Sequence, residues 1–208
     1  QLYMFLPEDL EAQYLAGDDR VDLLPFGHSL DAAGNVTSAV GLYARTLRTC
    51  LDSATQHEFA YLGAQLKGDV SWGGQTPDGK FWLMRVLTGG PTQYHLFDRA
   101  AKKLTFLCTD QPAMEKLTLA TRVAREVTAK DGTRLPVHVY LPAGSDIDGN
   151  GIPEKPLPTI LYVHGGPWFG VFNWNQYFHW CHFQLLANRG YAVINCEFRG
   201  ATGLGKEF

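Results

Sequence analysis

The fold turns on Thr159-Ile160-Leu161-Tyr162-Val163-His164-Gly165-Gly166-Pro167-Trp168. The apolar run that opens it suits a β-strand covered on both faces, as in a sheet flanked by helices. Two consecutive glycines then end the run. They allow backbone angles that side chains forbid, and they let another molecule come close to the main chain. Downstream, the segment from Gln176 to Asn188 has helical length and is apolar nearly all round. It runs into Arg189-Gly190, where glycine suits a left-handed cap. Tyr191-Ala192-Val193-Ile194-Asn195-Cys196 reads as another buried strand. Strand, helix and strand predict a βαβ unit with a right-handed crossover and a parallel sheet.

Upstream of this unit, a polar loop from Ala143 to Leu157 separates it from a hairpin. The arms of the hairpin are Ala120 to Val127 and Arg134 to Leu141, with Asp131-Gly132 at the turn. Leu135, Val137, Val139 and Leu141 share one phase of a two-residue period, which predicts a half-buried strand. Before Gln111-Pro112 the pattern is antiparallel. Lys80 to Leu87 follows the turn Pro77-Asp78-Gly79, and Tyr94 to Asp98 and Leu104 to Leu107 flank a second turn, so the three read as a meander. The meander is similar to one propeller blade. Alone it would leave apolar faces and edges open, so it is expected to need neighbours that this chain does not supply. From Gln1 to about Leu66 only a helix over His57 to Leu66 stands out. The expected division is therefore a propeller-like part over 1–115, with 1–56 unassigned, and an α/β part over 116–208, the boundary falling near Pro112 to Thr121.

With 208 residues, 45% of them hydrophobic, the chain has apolar material for one compact domain or for pieces of two. A formal charge of -3 and the lack of a long Lys/Arg block argue against nucleic acid or an anionic membrane as partners. No apolar run approaches the roughly 18 residues of a membrane span, and no signal-peptide pattern opens the sequence. Cys50, Cys108, Cys181 and Cys196 are scattered without C-x-x-C spacing, which fits reduced thiols and a cytoplasmic location, although the even count also permits disulfides. Asn35-Val36-Thr37 matches a glycosylation acceptor only as a triplet common by chance.

Two loops carry candidate chemistry. After the first buried strand, a peptide N–H exposed by Gly165-Gly166 can donate to an oxyanion, as the Gly-rich loop of lipase-type enzymes does. A tight strand-to-helix turn needs the same glycines, and the glycines alone do not separate the two readings. After the second strand comes Phe198-Arg199-Gly200-Ala201-Thr202-Gly203-Leu204-Gly205, which lacks the spacing of a phosphate-binding loop. Two further patterns read as structural. Asp146-Ile147-Asp148-Gly149-Asn150-Gly151 begins like a calcium loop, but Leu157 stands where a bidentate Glu is required, so a solvated turn is expected. His179, Cys181 and His182 lie on the predicted helix at spacings that cannot converge on one ion.

Taken together, the His-Gly-Gly-Pro loop, Leu185-Leu186-Ala187-Asn188-Arg189-Gly190-Tyr191-Ala192-Val193 and the Phe198 to Gly205 loop resemble the start of the hydrolase domain in the prolyl oligopeptidase family. The order and spacing are those of its acylaminoacyl-peptidase and dipeptidyl-peptidase branch. The match is specific over about Thr159 to Phe208 and extends more weakly back through Val123 to Leu141 and Gly68 to Leu107. The resemblance implies an α/β-hydrolase sheet, present here in its N-terminal part and preceded by antiparallel propeller-like strands. It implies a serine peptidase acting on short or N-terminally blocked peptides through an acyl-enzyme, with no metal or organic cofactor. Gly166 would supply the oxyanion-hole amide, with His164, Gly165 and Pro167 shaping its loop. Arg199, which follows a buried strand near that site, is expected to hold its loop by charge-assisted hydrogen bonds in preference to binding substrate.

His164 is not expected to be the catalytic histidine, which follows the nucleophile in this fold. No G-x-S-x-G elbow occurs in the sequence. The resemblance places the Ser/Asp/His triad after Phe208 and implies that these 208 residues alone are inactive. The expected partners are a peptide substrate and the remainder of the hydrolase and propeller. Two other readings stay open: an esterase or lipase using the same loop, and a non-catalytic binding module. An open sheet edge predicts that the isolated chain self-associates.

Overall fold

The computed structural model describes residues 1–6, 11–24, 27–166, 168 and 177–208. The chain opens with β1 (Leu2–Leu6) and β2 (Glu11–Ala16), an antiparallel pair. Next, β3 (Ser29–Leu30), β4 (Val36–Leu42) and β5 (Thr46–Cys50) form a three-stranded antiparallel sheet. Helix α1 (Ser53–Gln65) starts where Asp52 Oδ1 accepts from the Thr55 amide at 2.7 Å, satisfying one of the unpaired donors of its first turn. Four strands then follow in simple order: β6 (Asp69–Gln75), β7 (Phe81–Leu87), β8 (Gln93–Asp98) and β9 (Lys103–Thr109). Gly79, at φ 67°, makes the tight turn between β6 and β7.

The meander does have neighbours, contrary to the expectation from sequence. Helix α1 lays Leu62, Phe59 and Tyr61 on Trp82, Met84 and Phe97. Burial of side chains this size stabilises by about 2 kcal/mol each. Arg99 clamps the same helix by donating from Nε and Nη2 to Glu58, each at 2.9 Å. The sheet of β3 to β5 adds a further contact, because Arg48 on β5 reaches the Val70 carbonyl on β6.

A short 3-10 turn at Pro112–Lys116 leads into the last sheet. It contains β10 (Thr121–Thr128), β11 (Arg134–Leu141), β12 (Thr159–Tyr162) and β13 (Ala192–Cys196), in the spatial order β10-β11-β13-β12. Among the described residues of this sheet only β12 and β13 pair in parallel, and helix α2 (Tyr177–Ala187) lies between them in the chain. Trp180, Phe183 and Ala187 of α2 pack on Tyr140, Val193 and Ala120.

Two strands differ from the sequence reading. β11 is covered on both faces, since Pro136, His138 and Tyr140 are buried as well as Val137 and Leu141. The polar heads of His138 and Tyr140 hide that second apolar face from a two-residue count. β12 is the reverse case. It lies at the sheet edge, with Leu161 62% exposed and the following Val163 64% exposed, because α2 covers only the face that carries Tyr162.

The part of the chain before residue 110 meets the last sheet and its loops at specific points. Trp180 Nε1–H donates to the Gly89 carbonyl at 3.0 Å, and His138 Nε2–H donates to the Ala44 carbonyl at 2.7 Å. The Asp22 amide reaches the Gly203 carbonyl at 2.9 Å.

Candidate active site

In a parallel pair both strands end at the same edge of the sheet, so β12 and β13 deliver their following loops side by side. The register does more. Thr159 pairs with Ala192 and Tyr162 with Asn195, and two more residues along each chain bring His164 opposite Glu197. Asn195 Nδ2 donates to the Tyr162 carbonyl at 3.1 Å just before this point.

His164 is the anchor of its loop. Its side chain is fully withdrawn from solvent, and Nε2 lies 3.3 Å from Glu197 Oε2, itself on a side chain that is 3% exposed. The ring stacks on Phe198 with centroids 4.3 Å apart and an interplanar angle of 19°. Nδ1 is 2.9 Å from the Gly165 carbonyl, an atom that only accepts, so Nδ1 carries its hydrogen. Nε2 then faces the Glu197 carboxylate, so the contact beneath the loop joins the two chain segments that follow β12 and β13.

Above this anchor Gly165 and Gly166 are exposed. Gly166 adopts φ 135°, which a side chain would strain, and a Cβ added at Gly165 would meet nothing within 4 Å. The loop therefore offers open backbone to solvent over a fixed base. Pro167, expected to shape this loop, lies outside the described residues, as does Gln176 at the start of the expected helix. The second loop is tied to the first by the Thr202 amide, which donates to the Trp168 carbonyl at 2.8 Å. Arg199 Nη2 pairs with Asp131 Oδ2 at 2.7 Å, so it braces its loop against the turn between β10 and β11. Its guanidinium, first by hydrogen bonding, holds the Asp131 carboxyl down to about 2. Both side chains are half exposed, so the brace fixes geometry more than it adds stability.

The remaining patterns take structural roles. Asp146 Oδ2 accepts from the Gly151 amide at 2.9 Å, and Asp148 accepts from Asn150, so these carboxylates cap their own turn. His182 Nδ1 sits 3.2 Å from the Tyr162 hydroxyl, and Cys181 is exposed. Glu197 is the residue that reading the sequence did not single out. Its signal was the register itself, since an acid at the end of a buried strand aligned with His164 on the neighbouring one.

No family model matches the chain. Its sequence is 35% identical over 182 residues to dipeptidyl aminopeptidase BIII of Pseudoxanthomonas mexicana, covering 85% of this chain and 25% of that protein. Among solved structures, one from a study of two prolyl endopeptidases superposes with a TM-score of 0.60 at 17% identity, covering 98% of this chain and 29% of that one. Dipeptidyl peptidase 4 of Porphyromonas gingivalis gives a TM-score of 0.59 at 15% identity, covering 99% and 28%. The chain spans about a quarter of the length of these relatives. Its sheets share their fold, in which an α/β-hydrolase sheet follows antiparallel propeller-like strands. By its sequence the chain belongs to the prolyl oligopeptidase family.

Proposed function

We propose that this chain is part of a serine peptidase that cleaves short or N-terminally blocked peptides, and that the Gly166 amide donates to the oxyanion. The observation that carries the reading is the exposed Gly165-Gly166 backbone held over the buried His164–Glu197 pair at the C-terminal edge of β12. Preorganised donors lower the barrier because they are already aimed when charge develops on the carbonyl oxygen. The nucleophile, acid and catalytic histidine belong, in this reading, to parts of the parent protein outside these 208 residues. The serine hydroxyl attacks the scissile carbonyl while the histidine takes its proton. The carbonyl oxygen becomes an oxyanion, which accepts from the Gly166 N–H, and the leaving amine departs with the proton. Water then hydrolyses the acyl-enzyme.

The exposed Leu161 and Val163 support the same reading, since a helix packed on the sheet face opposite α2 would cover them. In this view residues 1–115 supply the end of a propeller, with β6 to β9 as one blade, and 116–208 supply the start of the hydrolase. The free thiols of Cys108 and Cys181, both exposed, fit a reducing compartment, and we place the parent protein in the cytoplasm. The test is turnover by the full-length protein of acylated and free dipeptide anilides beside a p-nitrophenyl ester. Preferential cleavage of the anilides, blocked by an aryl fluorophosphonate, is the expected result. Ester cleavage alone would replace the peptidase with an esterase, and no turnover of either would leave a binding module.

A further inference from the structure

We propose that the cavity between the β3–β5 sheet and the β6–β9 meander binds a small organic carboxylate carrying an apolar group, held by Arg48 and Arg85. This cavity has a volume of about 310 Å³ and lies away from the Gly165-Gly166 loop. That volume is at the lower end of ligand sites, which run from about 300 to 1,000 Å³.

Its charge is one-sided. Arg48, Arg85 and His28 line it, and no Asp or Glu does so among the described residues. Arg48 is largely buried, and its partners among the described residues are all neutral. Nη1 donates to Ser38 Oγ at 2.8 Å, Nη2 to the Val70 carbonyl at 3.3 Å, and the guanidinium lies 3.8 Å from the centre of the Phe59 ring. Burial brings its pKa down to about 10, which reflects the cost of a cation without a counter-charge. Buried charges are ordinarily paired, and a carboxylate entering beside Arg48 would supply the missing partner. Arg85 stands on the facing strand, in register with Ser71, with its charge exposed and no ion pair among the described residues. Two guanidiniums on one cavity suit a carboxylate, whose two oxygens each accept charge-assisted hydrogen bonds. Val40, Leu42 and Leu87 make the rest of the wall apolar, which selects an anion with a hydrocarbon group over a bare inorganic ion.

The site needs neither the oxyanion loop nor a nucleophile, so it stands or falls apart from the peptidase reading. Trp72 is part of the cavity wall and provides the readout. The full chain is titrated, with tryptophan fluorescence followed, against N-acetyl-leucine, alanyl-leucine and N-acetyl-leucinamide. Both carboxylates should saturate the signal and the amide should not. Arg85→Gln, at an exposed position that leaves the fold intact, and Arg48→Lys should each weaken carboxylate binding about tenfold, the loss of one charged hydrogen bond. A tighter alanyl-leucine would identify a peptide C-terminus as the ligand, and equal affinities a free carboxylate; both support the site. Equal binding of the amide, affinity unchanged in both variants, or no saturation up to roughly 10 mM would overturn it.

Discussion

His164 Nε2 lies 3.3 Å from Glu197 Oε2 with both side chains withdrawn from solvent, and this contact joins the two loops that follow β12 and β13. The pairing is a product of strand register, so the sheet that builds the fold also fixes the base of the candidate oxyanion loop. Removing one partner of a buried polar pair takes away a contact that water cannot replace. Glu197→Ala should therefore lower stability by about 3–5 kcal/mol in urea unfolding, while Glu197→Gln, which keeps a hydrogen-bonding group, should cost less. In the double variant with His164→Phe, the loss should be smaller than the sum of the two single losses. Additive losses would mean that the two side chains do not interact.

Trp180 links the last sheet to the meander by its bond to the Gly89 carbonyl, in a position 1% exposed. Trp180→Phe keeps most of the packing and removes the donor. We expect a loss of about 1–3 kcal/mol and faster limited proteolysis between residues 110 and 120, where the two parts of the chain connect. Unchanged proteolysis would show that the bond does not hold the parts together.

His138 responds to pH in a direction that can be worked out. Its Nε2–H donates to the Ala44 carbonyl and its Nδ1 accepts from Arg122 Nη2 at 2.9 Å, so the ring is neutral in the folded protein. Burial first, then the charges of Arg122 and Arg45, push its pKa down to about 3. Unfolded, the ring takes up a proton near pH 6.5, and the native state does not. The unfolded state thus binds more protons below that pH, and stability falls as pH drops from about 6.5 toward 3. His138→Gln should remove this part of the pH dependence. Urea midpoints of the two proteins should run parallel above pH 7 and converge below pH 6. Parallel curves throughout would contradict the assignment.

The exposed face and open edge at β12 make the isolated chain prone to self-association. Leu161→Lys places a charge on that face without touching the α2 core. Sedimentation should show oligomers for the parent sequence at micromolar concentration and a shift toward monomer for the variant. A parent sequence that stays monomeric would remove the prediction.

Much of the α/β half could be read from sequence because its signals are local. The apolar runs of β12 and β13, the glycine at Gly190 with φ 88° and the turn at Gly132 each mark a boundary by themselves. The sheet of β3 to β5 gave no such signal. Thr46-Leu47-Arg48-Thr49-Cys50 is partly buried at every position, and Arg48 finds its partners on other strands rather than in sequence neighbours. β6 was obscured by the irregular register between Trp72 and Gly74, which interrupts its alternation. The start of α1 was missed because its signal is a single capping contact from Asp52. At the candidate site the glycines were legible as a loop, whereas Glu197 became meaningful only once β12 and β13 were in register.

The central claim is that the Gly166 amide faces the oxyanion, and one measurement addresses it directly. The full-length protein would be reacted with an aryl fluorophosphonate and the structure of the adduct determined. The account predicts a serine adduct whose phosphoryl oxygen lies about 2.7–3.1 Å from the Gly166 nitrogen. An adduct whose oxygen is bound by other donors, with Gly166 turned away, would contradict it, as would a protein that forms no adduct.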